Sequence, residues 1–115
     1  MMMALNHLKK IIPLLEYLAS LDKLDRVKFL KQAGTSIIKV ICDIIFNANR
    51  GNLDLSPTVV DTLRPYKRQI KSLCVLKKSI EKRRKELMQK DFVGKVLPYL
   101  IPPLLEHLVP KSGSK

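Results

Sequence analysis

The sequence predicts an all-α fold, a compact bundle of about five helices built around a long central helix. Three observations carry that expectation. Apolar residues recur at spacings of three and four in one segment after another. Only four glycines occur in 115 residues, too few for a turn-rich β fold. The apolar content is mostly Leu, Ile and Val, with no Trp and few aromatics. A chain of this length fits one domain, expected over residues 1–110, with "KSGSK" at 111–115 as a disordered tail.

In the first helix, about residues 5–20, Leu5, Leu8, Ile11, Ile12, Leu15 and Leu18 form one stripe, and Pro13 is expected to bend it. "SLDKLD" breaks the pattern, and Asp22 is a candidate N-cap for the second helix. That helix is the longest, about Leu24 to Asn49. Its wide apolar face, with Val27, Leu30, Ile37, Ile38, Ile41, Ile44 and Ile45, places it at the centre of the fold. Gly34 falls inside it, where glycine costs roughly 1 kcal/mol against alanine, and close packing by another helix is the expected reason. Gly51 suits a left-handed position after its end.

"LSPT" opens the third helix, with Ser56 as N-cap and Pro57 at the first helical position. Val59, Leu63, Tyr66, Ile70 and Leu73 make its apolar stripe, and Pro65 is expected to kink it. Ser79 caps a fourth helix over about 80–90, in which Ile80, Leu87 and Met88 face inward. Arg84 falls within that apolar arc at 100° per residue, so it has to snorkel, find an acid or meet a partner's phosphate. Residues 92–109 are apolar but interrupted by Pro98, Pro102 and Pro103, and two short helical pieces packed on the core are expected there rather than a membrane span. A short helix, a long helix and a third helix in succession also suggest a histone-like arrangement as a variant of the fold.

Charge is the unusual feature. Lys and Arg total 22 against 10 Asp and Glu, a net +12. Residues 64–90 hold eleven cations, with Glu81 and Glu86 as the acids, so this segment is +9. A field of that strength selects partners: nucleic acid, an anionic membrane or an acidic protein. A passive solvated face is the bland alternative, yet such faces mix signs. Arg64 with Arg68, and Lys67 with Lys71, are like-charge i,i+4 pairs, which weaken an isolated helix by a few tenths of a kcal/mol each. A polyanion converts that repulsion into attraction. With few aromatics to stack on bases, contact with the phosphate backbone fits better than sequence readout. The expected nucleic-acid contacts are Arg64, Lys67, Arg68, Lys71, Lys77, Lys78, Lys82, Arg83, Arg84 and Lys85. "KKSIEKRRK" also has the composition of a nuclear import signal.

The residues of an enzyme site are missing as a set. His7 and His107 lie near opposite ends and outside zinc-ligand spacing, the glycines form no phosphate loop, and Ser56, Cys42 and Cys74 sit in no nucleophile motif. No catalytic residue, cofactor or metal is therefore expected. Cys42 and Cys74 are read as two buried thiols of a protein from a reducing compartment, and the start of the chain lacks a signal-peptide cleavage pattern.

The segments "IIKVICDIIFNANRGNLDLS", "LRPYKRQIKSL" and "KKSIEKRRKELMQK" resemble a family of small basic proteins encoded by Maverick/Polinton elements and adintoviruses. The family places Ile-Cys before an Asn, a Gly-Asn pair and Leu-Ser. Here these are Ile41, Cys42, Asn47, Gly51, Asn52, Leu55 and Ser56. A Tyr/His-Lys pair comes next, here Tyr66 and Lys67, then Lys-Lys-x-Ser with a basic run, here Lys77 to Arg84. The resemblance covers about residues 26–108. Two departures stand out: Pro65 replaces a basic residue, and "KDFVG" after Gln89 keeps Phe92 but lacks the family's Gly-Gly before it.

The resemblance implies a virion- or genome-associated product comparable with the core and minor capsid proteins of adenoviruses. A domesticated host copy fits the sequence equally. The expected function is sequence-independent DNA binding in a virion core or in genome packaging, located in the host nucleus or the virion interior. Double-stranded DNA is the expected partner, with capsid protein and a second copy of the chain as further ones. The alternatives are a capsid-interior or membrane-active minor protein acting through residues 92–108, and a helical oligomerisation module.

Overall fold

The computed structural model describes residues 5–51, 53–75 and 77–108, and side chains from residue 10 to residue 106 within them. The expected tail at 111–115, and the side chains of His7 and His107, lie outside that set. Among the described residues there are seven α-helices and no strand: α1 Leu5–Ser20, α2 Lys23–Gln32, α3 Thr35–Asn49, α4 Pro57–Leu63, α5 Lys67–Leu73, α6 Ile80–Met88 and α7 Phe92–Leu108. They form five helical segments, since α2 and α3 share one stretch and a 3-10 turn, Arg64–Tyr66, joins α4 to α5. The all-α compact bundle is as expected. Its radius of gyration, 13.8 Å, is close to the roughly 13 Å of a 100-residue domain.

Side-chain caps set three of the helix starts. Asp22 accepts from the Asp25 amide at 2.8 Å, Ser56 from Val59 at 3.2 Å and Ser79 from Lys82 at 3.2 Å. Gly51 comes after α3 with φ +79°, the left-handed conformation that glycine adopts without strain. Pro65 sits in the 3-10 turn. Its missing N–H leaves the Asp61 carbonyl free, and the Arg64 amide takes that acceptor instead.

The long central stretch, residues 23–49, is helical but divided. Ala33 and Gly34 have extended backbone, with ψ 141° and 161°, so α2 ends and α3 begins within it. That division removes the basis for a histone-like arrangement, which rests on an unbroken central helix. Gly34 is therefore the N-cap of α3 rather than a mid-helix glycine. Nothing lies within 4 Å of where its Cβ would be, so close packing is not the reason for it. Gly34 also makes no side-chain cap. Gly34→Ser should raise stability by about 0.5–1 kcal/mol, by adding the cap and restricting the unfolded chain. A lower urea midpoint in the variant would show that the break needs glycine itself.

The C-terminal segment differs most from expectation. It is one helix, α7, and not two pieces. Pro98 and Pro102 lie four residues apart on its exposed side. They deprive the Gly94 and Pro98 carbonyls of amide partners, and Pro103, on the buried side, does the same to Tyr99, yet the helix continues through all three. On the other side Phe92, Val93, Val96, Leu97, Leu100, Ile101 and Leu104 are buried, the largest apolar contribution of any helix among the described residues. α7 packs most extensively on α1, which supplies Ile11, Ile12, Leu15 and Leu18. α1 runs unbroken through Pro13, which is exposed in the same way. No helix among the described residues is long and apolar enough to cross a membrane.

Between α6 and α7 the chain reverses in a 3-10 turn, Gln89–Asp91, where Lys90 and Asp91 have φ of 51° and 54°. Two consecutive non-glycine residues in the left-handed region cost roughly 1–2 kcal/mol each. The sequence there gives no local sign of it.

Candidate nucleic-acid interface

The basic segment 64–90 divides into two groups of side chains. Arg64, Lys67, Arg68, Lys71, Lys77, Lys82, Lys85 and Lys90 are exposed, whereas Lys78, Arg83 and Arg84 are half-buried. α5 and α6 carry most of the exposed group. Both helices pack on α3 and on each other, so their outer faces are adjacent. Lys67, Arg68 and Lys71 lie on α5, Lys82 and Lys85 on α6, and Lys77 in the connection between them. Arg64 bonds Asp61 at 2.7 Å in an exposed pair. Such a pair contributes little and leaves the guanidinium open to exchange partners.

Three of the expected contact residues, the half-buried Lys78, Arg83 and Arg84, have partners within the fold. Lys78 Nζ donates to the Ser72 carbonyl at 2.6 Å and to the Ser72 hydroxyl at 2.8 Å, and it pairs with Glu86. It thus closes the C-terminal end of α5. Arg83 donates to the Val75 carbonyl at 2.7 Å, and its guanidinium lies 5.0 Å over the Phe46 ring. Arg84 donates from Nη1 to the Leu30 carbonyl at 2.7 Å and to the Ala33 carbonyl, and from Nε to Glu81 at 3.1 Å. Of the three outcomes open to it, Arg84 finds an acid, together with the open carbonyls at the end of α2. Cations suit these positions because the last carbonyls of a helix are unsatisfied and carry partial negative charge.

These contacts change the electrostatics of the surface. Glu81 and Glu86, the acids of residues 64–90, are engaged by Arg84 and Lys78. The eight exposed cations then have no acid of their own segment left unpaired. Lys90 belongs with them, although it was not among the expected contact residues. Its place at the end of the basic helix is the signal that could have found it.

Arg26 is a buried cation outside the expected contact residues. Arg26 is 7% exposed. It forks onto Asp91, Nε to Oδ1 at 2.9 Å and Nη2 to Oδ2 at 3.1 Å. Its Nη1 also donates to the Leu18 and Ala19 carbonyls, both at 3.0 Å, near the end of α1. Gly94 makes room for this pair, since a Cβ there would lie 2.5 Å from Asp91 Oδ2 and 2.6 Å from Arg26 Nε. Arg26 thus ties together α1, α2 and the turn that carries Lys90.

The two thiols are free, Cys42 buried and Cys74 half-buried. Burial pushes the Cys42 thiol up to about 12, with the nearby Arg83 charge opposing. Burial also raises Cys74, against Arg50 and Arg83. Both are therefore neutral near pH 7 and pack as small apolar groups. The described residues contain no group of His, Cys, Asp and Glu placed to hold a metal ion.

No family model, curated protein or solved structure matches this chain.

Proposed function

We propose that this chain is a sequence-independent DNA-binding protein, a virion-core or genome-packaging component of a virus-like mobile element, acting in the host nucleus and the virion interior. The observation that carries the reading is the single-sign surface. Exposed Arg64, Lys67, Arg68, Lys71, Lys77, Lys82, Lys85 and Lys90 come from two adjacent helices and their flanks, and the acids among them are paired with other cations, half-buried Glu86 with Lys78 and exposed Glu81 with Arg84. Point charges of this kind meet phosphates and carry no sequence information. The relationship to the Maverick/Polinton and adintovirus proteins belongs to the same proposal. The left-handed pair Lys90–Asp91 supports it, because it occupies the place of that family's Gly-Gly. α7 does not favour the membrane-active alternative, since its apolar side is in the core.

The test is duplex DNA binding measured against salt. Neutralising ~6 phosphates should make affinity fall by about 10³ between 50 and 200 mM salt, equally for unrelated sequences. Charge reversal at Arg68, Lys71, Lys82 and Lys85 should abolish binding and leave the helical signal unchanged, because all four are exposed. Reversal at Arg84 should instead unfold the protein. Salt-insensitive binding, or a larger loss from reversing Lys9, Lys10 and Lys23, would place the site elsewhere.

A further inference from the structure

A groove of about 470 Å³ opens between α3, α4, α5 and α7. Its walls are Ile45, Leu55, Val60, Leu63, Ile70 and Leu100, and the exposed cations Arg64 and Lys67 border the same space. That volume lies within the roughly 300–1,000 Å³ of small-molecule sites, which pair apolar walls with a few placed polar groups. Val60 is 45% exposed within it, a large apolar side chain left facing solvent. We infer that this groove binds a single-chain anionic amphiphile, a free long-chain carboxylic acid, with the hydrocarbon chain on the apolar walls and the carboxylate at Arg64 and Lys67.

Two features favour this occupant. An anionic head meets two cations whose nearby acid, Asp61, is itself exposed and paired only with Arg64. A second copy of the chain is disfavoured, because a protein of net +12 would bring this rim against further positive charge. The inference stands independently of DNA binding, although it shares Arg64 and Lys67 with that surface. An occupied groove would remove both from contact with phosphate.

The experiment uses the full chain with octanoate, decanoate and dodecanoate below their micelle concentrations, monitored by calorimetry and amide NMR. One saturable site is expected, with shifts at Ile45, Val60, Ile70 and Leu100. Each added methylene should tighten binding about 4-fold until the groove is full. Neutral 1-dodecanol should bind at least 10-fold more weakly than dodecanoate. Arg64→Gln with Lys67→Gln should remove that advantage, whereas Lys82→Gln with Lys85→Gln, the same charge loss elsewhere, should leave it intact while weakening DNA binding. The proposal is overturned by unsaturable binding with shifts over the whole surface, by equal effects of the two double variants, or by a dimer in sedimentation that occupies the groove. Flotation with anionic phosphatidylglycerol vesicles, without binding of monomeric dodecanoate, would overturn it too.

Discussion

A chain ending at Asp91 should not fold. Seven apolar side chains of α7 are buried, from Phe92 to Leu104. At roughly 1.5–3 kcal/mol each, their burial is worth about 10–20 kcal/mol as an upper bound. The whole stability of a small domain is about 5–15 kcal/mol. The truncated protein should aggregate or melt without a cooperative transition, because α1 loses its main partner. The milder Leu97→Ala should cost about 2–5 kcal/mol in urea unfolding, since Leu97 is 2% exposed. A soluble truncation with a sharp melt and retained DNA binding would show that α7 is separable, and would revive a membrane role for it.

The second large effect is expected at Arg26. Removing one partner of a buried ion pair leaves the other charged and unpaired, which costs about 3–5 kcal/mol. Arg26→Ala should lose that much and should also uncap the end of α1. Arg26→Met with Asp91→Gly should be far less damaging than the two single losses added. It removes both charges and relieves the left-handed strain at position 91. Gly94→Ala tests the same cluster from the other side. Alanine is the better helix former by about 1 kcal/mol, yet the substitution should destabilise, because its Cβ enters the space of the ion pair. Two results would sink this account: a stabilised Gly94→Ala, or an Arg26→Ala that stays within about 0.5 kcal/mol of the parent, as an ordinary surface change does.

These two regions show what the sequence made legible. Asp22, Ser56 and Ser79 were readable as caps because an N-cap bonds an amide three residues away. Gly51 was readable for a similarly local reason. The break at Ala33–Gly34 was not, since its open carbonyls are satisfied by Arg84, 51 and 54 residues along the chain. The apolar spacing simply continues across it. In α7 the prolines look like interruptions in the sequence, but the helix runs through exposed Pro98 and Pro102 and buried Pro103 alike. The +9 of residues 64–90 is legible by counting, but not that Lys78, Arg83 and Arg84 are half-buried and partnered within the fold. A count gives a side chain no direction. Arg26, four residues before buried Leu30, shares the apolar face of its helix as Arg84 does in α6, and is legible on the same ground.

The long-range caps also bear on how the protein forms as it is made. The end of α1 is closed by Arg26 only when Asp91, 65 residues later, holds that arginine in place. The end of α2 waits for Arg84 in the same way. At synthesis rates of about 5–20 residues per second, the ribosome needs about 3–13 s to travel from position 26 to position 91. During that interval α1 and α2 exist as a nascent chain with open carbonyl ends and an uncovered apolar stripe. The native caps of α1 and α2 therefore cannot be complete until the final third of the chain emerges.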